Sequence, residues 1–156
     1  MMLINKYMIS YKQVIAKDIN QNDLLMLKRL SLINGGLRRF SHNLYGLKFK
    51  NLIYKNIEDK IELLLNQKIY LAIDNFKGNI IGWSLVDDNE LMLKGLKKPI
   101  IAVYVNSQYR KLGIGSKLVL LCVDQYKIDH NNIIYSFTDT EKSNRFFKKR
   151  NIPPLT

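Results

Sequence analysis

The sequence predicts one mixed α/β sheet with helices on both faces. Three observations predict it. Short β-branched runs alternate with longer segments whose apolar residues recur at helical spacing. Two strand-like runs are separated only by Lys77-Gly78-Asn79, a hairpin turn. A later run, Pro99 to Asn106, is almost wholly apolar, as in a strand covered on both faces. The 156 residues, 47% hydrophobic and 24% charged, are expected to form a single domain, 1–156, that buries a core.

The elements follow in order. Tyr7 to Ala16 alternates loosely and reads as the first strand. In the next segment Leu24, Leu25, Leu27, Leu30 and Leu32 or Ile33 fit one helical face. Asp18, Asn20 and Asn22 are candidate caps, and Asn34-Gly35-Gly36 reads as the stop. Leu37 to Lys55 mixes basic and aromatic residues and reads as a loop plus a short helix. Ile57, Ile61, Leu64 and Leu65 share a helical face, with Asn56 as cap and Glu58 and Asp59 in the favourable first turn. Lys68 to Phe76 and Ile80 to Asp87 are the hairpin strands, and Pro99 to Asn106 the buried strand. A helix then runs from about Gly115 to Lys127, a strand from Asn131 to Asp139, and a cationic helix from Thr140 to Arg150.

Composition narrows the function classes. With 8 Gly and 3 Pro, no long flexible linker is expected. The single cysteine, Cys122, excludes an internal disulfide framework and fits a reducing, cytoplasmic location. Its leucine and valine neighbours make it a buried small hydrophobe. Lys6 and Lys12 break the N-terminal apolar pattern, so no secretion signal is expected. No apolar run approaches the roughly 20 residues that span a bilayer, so no membrane partner is expected. The net charge of +12 attracts polyanions such as nucleic acid, CoA-like molecules or an acidic protein. Part of that excess matches the Ile, Asn and Lys richness of an A/T-biased genome.

The chemistry-bearing motif lies in "VYVNSQYRKLGIGSK", where a buried strand leads through a short loop to Gly113, Gly115 and a helix. Helix N-termini leave backbone N–H groups unpaired and carry partial positive charge. Glycines let those amides approach an anion without a Cβ in the way. Arg110 and Lys111 add cationic reach, giving a pyrophosphate seat. A P-loop does not fit, since Ser116 precedes Lys117 and the glycines are too close. The dinucleotide fingerprint does not fit either, since it needs three glycines near the start of a parallel unit.

Arg110-Lys111-Leu112-Gly113-Ile114-Gly115 resembles the Arg/Gln-x-x-Gly-x-Gly/Ala signature of the GNAT (general N-acetyltransferase) acyltransferases. Thr140 to Ile152 resembles that superfamily's second segment, Asn-x-x-Ala-x-x-Phe-Tyr-x-x-x-Gly-Phe. Thr140 falls at the Asn, Ser143 at the Ala, Phe146 and Phe147 at Phe-Tyr, Asn151 at the Gly and Ile152 at the last Phe. The likeness covers roughly Ile100 to Ile152; the N-terminal half agrees only in element order. It implies a mostly antiparallel sheet with splayed central strands. It also implies an acetyl-CoA or other acyl-CoA donor and direct attack by an amine of a protein or small-molecule acceptor. The pyrophosphate would sit on the amides of Lys111, Leu112, Gly113, Ile114, Gly115 and Ser116, with Thr140, Ser143 and Phe147 nearby. The pantetheine arm would run along Val103, Tyr104 and Val105, where a backbone N–H near Val105 or Tyr104 would polarise the thioester carbonyl.

The likeness fails at the proton handlers. The family's usual tyrosine is Phe147, and its usual glutamate falls at Lys97-Lys98-Pro99. Glu90, His42 and Tyr104 are the candidate catalytic replacements, each with a plain structural alternative. Glu90 is also a loop acid, and His42 a surface or capping imidazole. Tyr104, like Tyr135 and Ser136 on the next strand, is also a packing residue. Asp139 is expected to cap the last helix rather than hold an acceptor amine. Asn151 suits a left-handed helix end as the next best residue after glycine. The family's C-terminal hairpin is absent before Thr156, so a truncated sheet or a homodimer covering its edge is expected. Two other readings remain. One is the same fold acting on aminoacyl-tRNA or a DNA base, with Phe40, Tyr45 and Phe49 interleaved with cations as a stacking surface. The other is a non-catalytic CoA-binding or interaction module. No metal site is expected.

Overall fold

The structure, a computed structural model, describes residues 8–52, 61–88, 98–130, 132–138 and 140–155. Five strands form one sheet in chain order: β1 (Ile9–Ile15), β2 (Lys68–Asp74), β3 (Asn79–Asp87), β4 (Ile100–Val105) and β5 (Tyr135–Ser136). The first four pair antiparallel, and β5 runs parallel to β4. The helices are α1 (Gln21–Leu30), α2 (Gly35–Phe49), α3 (Ile61–Leu65), α4 (Ile114–Asp129) and α5 (Glu141–Lys148).

Strand alternation sends side chains to two cores, one on each face. Tyr70, Ala72, Ile81, Val86 and Ile101 pack with Leu118, Cys122 and Val123 of α4. Ile69, Leu71, Ile80, Trp83, Leu85 and Ala102 pack with Leu24, Leu27, Leu37, Phe40 and Leu44 of α1 and α2. A bulge adds Ile81 opposite Ala72 and Ile73, so Ile80 and Trp83, three apart, face the same side. Gly82 follows at once. A Cβ there would lie 2.9 Å from the Tyr104 carbonyl oxygen, so glycine is what lets β4 approach β3.

The main departure from expectation is Leu37 to Lys55. Gly35 to Phe49 is one continuous helix, not a loop plus a short helix. Asn34 is its N-cap, the side chain accepting from the Leu37 N–H at 3.1 Å. The Asn34-Gly35-Gly36 signal therefore starts a helix as well as following one. Asn20 is the cap of α1, accepting from the Asp23 N–H. Asn56, Glu58 and Asp59 lie outside the described residues. The hairpin loop begins earlier than expected, because the buried Asp74 carboxylate takes the Phe76 and Lys77 N–H groups and ends β2 at Asp74.

The strand expected over Asn131 to Asp139 is reduced to Tyr135 and Ser136. Ile133 and Phe137 are exposed and only Ile134 and Ser136 are buried, so apolar composition there does not extend the pairing. Beside it the chain's own tail forms one parallel bridge, Ser136 with Pro154. The Ser136 N–H donates to Pro153 and the Leu155 N–H to Ser136. Two prolines thus lie along the outer edge of β5.

Candidate active site

The site grows out of the end of β4. Asn106 N–H donates to the Ile81 carbonyl at 2.7 Å. Backbone groups alternate sides along a strand, so those of Tyr104 also face β3 while those of Val103 and Val105 face away. On that far side β5 pairs only with Ile100 and Ile101. Beyond this point the two strands part, and the Val103 and Val105 backbone faces a cleft. The Val103 carbonyl accepts from Asn34 Nδ2 at 3.5 Å, and the Val105 carbonyl from Arg110 Nε at 3.1 Å. Val105 and not Tyr104 therefore has its N–H turned to the cleft.

After β4 a one-turn 3-10 helix, Ser107 to Tyr109, leads into the glycine turn. Its anchor is buried. Tyr109 Oη donates to Asp74 Oδ2 at 2.6 Å, locking this loop to the β2–β3 hairpin. That bond holds the Asp74 carboxyl below the usual range and pushes the Tyr109 hydroxyl up to about 12. Lys111 and Gly113 both have positive φ, 70° and 77°, and Gly113 is the N-cap of α4. No side chain caps α4, which leaves its first amides for an outside acceptor. At Gly115 a Cβ would meet only Phe146 and Val105, at 3.6 Å or more, an ordinary contact.

Arg150, which the sequence did not single out, hydrogen-bonds Ser116 Oγ and lies over the Phe146 ring at 3.7 Å. It ties the end of α5 to the glycine turn. Arg110 folds back over the Tyr104 ring, 5.6 Å from its centroid, as well as onto Val105. Its charge stays beside the turn, but it also pins the end of β4.

The cleft holds about 1550 Å³, beyond the usual size of a pocket for one small ligand and enough for two reactants. Of the expected donor residues it brings together Val103, Tyr104, Val105, Arg110, Lys111, Gly113, Ile114, Gly115, Ser116, Thr140, Ser143 and Phe147. Leu112 is not among them; it packs into the core beside α4. Thr140 caps α5 by accepting from the Ser143 N–H, the role expected of Asp139, which lies outside the described residues. Phe147 is buried and set edge-on to Phe146. His42 lines the cleft from α2, exposed. Glu90 lies outside the described residues. Cys122 is buried on the core face of α4, and burial pushes its thiol up to about 12, as for an inert core residue. Among the described residues no group of His, Cys, Asp or Glu could hold a metal ion. Among them, too, no helix is long and apolar enough to cross a membrane.

The stacking surface expected on α2 is not present as read. Phe40 is fully buried against Trp83. Tyr45 and Phe49 pack on each other, and lysines 28, 48 and 50 already lie over their rings.

The sheet opens beside β4, and an uncapped, glycine-led helix stands at that opening. Comparison with known proteins assigns the family. The model of the Acetyltransferase (GNAT) family matches residues 40–151, and the chain belongs to that family of acetyltransferases. The fold is shared with an aminoglycoside acetyltransferase from an uncultured soil metagenomic sample, solved with sisomicin, at TM-score 0.51 and 17% identity over 96% of this chain and 90% of that one. It is shared with an N-acetyltransferase from Staphylococcus aureus (TM-score 0.58, 14% identity, 91% and 82% covered). A GCN5-related N-acetyltransferase from Ralstonia eutropha is similar in the same way (TM-score 0.55, 14% identity, 95% and 94% covered). No curated protein matches the chain.

Proposed function

We propose that this chain transfers an acetyl group from acetyl-CoA to the amine of a small-molecule or protein acceptor. Gly115 is the observation that carries the donor assignment. A glycine in a helix costs about 0.5–1 kcal/mol against alanine. The fold leaves room for a Cβ there, so nothing inside the protein demands glycine. A small residue there, glycine or alanine as in the family signature, leaves the first amides of α4 open to an anion.

In this reading the Gly113 to Ser116 amides hold the donor's pyrophosphate, with Lys111 and Arg110 supplying charge. The Val103 and Val105 backbone holds the pantetheine amides as an added strand would. The donor supplies an activated thioester. The Val105 N–H, facing the cleft, polarises its carbonyl and stabilises the oxyanion of the tetrahedral intermediate. An amine entering from the α1–α2 side attacks that carbon, and rate comes from orientation in the shared cleft. Phe147 has no hydroxyl to protonate the departing sulfur. Tyr104 supplies a phenol on the cleft lining from β4, and His42 an imidazole from α2.

Thermal unfolding with millimolar acetyl-CoA tests the assignment, because a ligand of the native state raises the midpoint. The wild-type midpoint is expected to rise. Gly115→Val and Arg110→Glu are expected to fold and to lose that rise. A flat wild-type response, or unchanged affinity in both variants, overturns it.

A further inference from the structure

The wall of the cleft opposite the glycine turn is cationic. Gly115 sits against Val105 and Phe146, on the α4 face of β4. Tyr104 points to the other face and packs with the α1–α2 core. On that face Lys28 and Arg29 end α1, and Arg38, Arg39 and His42 line α2. Arg38 and His42 are four residues apart, so they share one exposed stripe. Leu37, Phe40 and Leu44 turn the opposite face of the helix into the core. Lys142 faces the cleft from α5. Among the described residues that line the cleft there is no aspartate or glutamate.

This arrangement has consequences for the second reactant. A polycation would enter against a like-charged wall with nothing described in the cleft to receive its ammonium groups. An acceptor with its own carboxylate, phosphonate or phosphate meets several guanidinium donors, which bind such groups with paired, charge-assisted hydrogen bonds. In the proposed reading the donor's pyrophosphate lies on the α4 face of β4, so it does not account for Arg29 and Arg38 on the α1–α2 face.

We infer that the acceptor is an amine carrying an anionic group, held by Arg29 and Arg38 at the α1–α2 wall. This rests on the acetyltransferase reading of the cleft and deepens it. The exposed Leu32 and Ile33 at the rim add an apolar lip, so an acceptor that also has an apolar body fits best.

The test measures acetyl transfer from acetyl-CoA to matched amines. Phenylalanine and 2-aminoethylphosphonate are the anionic probes, phenylalaninamide and ethanolamine the neutral ones, and kanamycin the polycation. The anionic members are expected to have higher kcat/KM than their neutral partners, and the advantage should shrink with added salt. Arg38→Glu and Arg29→Glu should cut that advantage about tenfold or more, with Arg38→Gln intermediate. All three should keep the thermal shift with acetyl-CoA. Comparing that shift with dephospho-CoA excludes a role for Arg29 and Arg38 in holding the donor's 3′-phosphate: if these variants lose only the acetyl-CoA increment, the inference fails. It also fails if kanamycin or a neutral amine is preferred, if the variants leave the preference intact, or if only tRNA is acetylated. Loss of the wild-type shift is a different result, since it overturns the acetyltransferase reading itself.

Discussion

At Gly113 the backbone takes a φ of 77°, and at Gly115 it is an ordinary first turn of α4. The two glycines therefore answer to different forces. Gly113→Ala must hold a Cβ in the left-handed region and is expected to cost about 1 kcal/mol. Gly115→Ala is expected to leave stability unchanged or raise it by up to about 1 kcal/mol, through helix propensity. Urea unfolding of the two variants reads this contrast directly. Tyr109 and Asp74 give a second test. Tyr109→Phe leaves one oxygen of a buried carboxylate without its donor and should cost about 1–3 kcal/mol. The folded Asp74 carboxyl lies below its unfolded value, which is near 3.9. Its stabilisation is thus complete above that pH and is lost as pH falls through the folded value. The acid limb of a stability-against-pH curve should flatten in Asp74→Asn, and much of it in Tyr109→Phe.

Among the elements, α2 shows how a helix can be concealed. Its apolar residues Leu37, Phe40 and Leu44 do recur at helical spacing, but two glycines open it and basic residues crowd its outer face. Asn34 resolves the ambiguity by capping α2 and reaching the Val103 carbonyl. Asn34→Ala is expected to cost about 1 kcal/mol and to raise KM for the acceptor more than for acetyl-CoA. Steady-state kinetics with each substrate varied separately checks that split. The strand, turn and helix around Gly113 were legible because they are contiguous: one hydrophobic run, one turn and one amphipathic segment fix them locally. The acceptor wall was not legible, since it depends on where α2 begins and which face it buries. Neither was Arg150, whose partner Ser116 lies 34 residues away in the chain. The two-residue β5 was over-read for a related reason. Ile133 and Phe137 have strand-like side chains, yet the sheet has already opened where they stand.

Across the whole molecule, a net charge of +12 includes seven cationic side chains on the cleft lining, with no acid among the described lining residues. Association with anionic acceptors should therefore slow as ionic strength rises, while unfolding midpoints move little. Stopped-flow binding at two salt concentrations separates the two. The cationic cleft also bears on the missing proton handlers. An amine must shed its proton before it can attack, and no described carboxylate lines the cleft to take it. Positive charge around an ammonium favours its neutral form and lowers its pKa. In the proposed reading the wall's field helps the ammonium lose its proton to solvent, alongside the His42 imidazole on the cleft wall. The alkaline rise of kcat should lie below the pKa of the free amine, and Arg38→Glu should move it back upward. In that reading deprotonation draws on the cavity's potential, spread over several side chains, so a single substitution on the wall should weaken it without abolishing it.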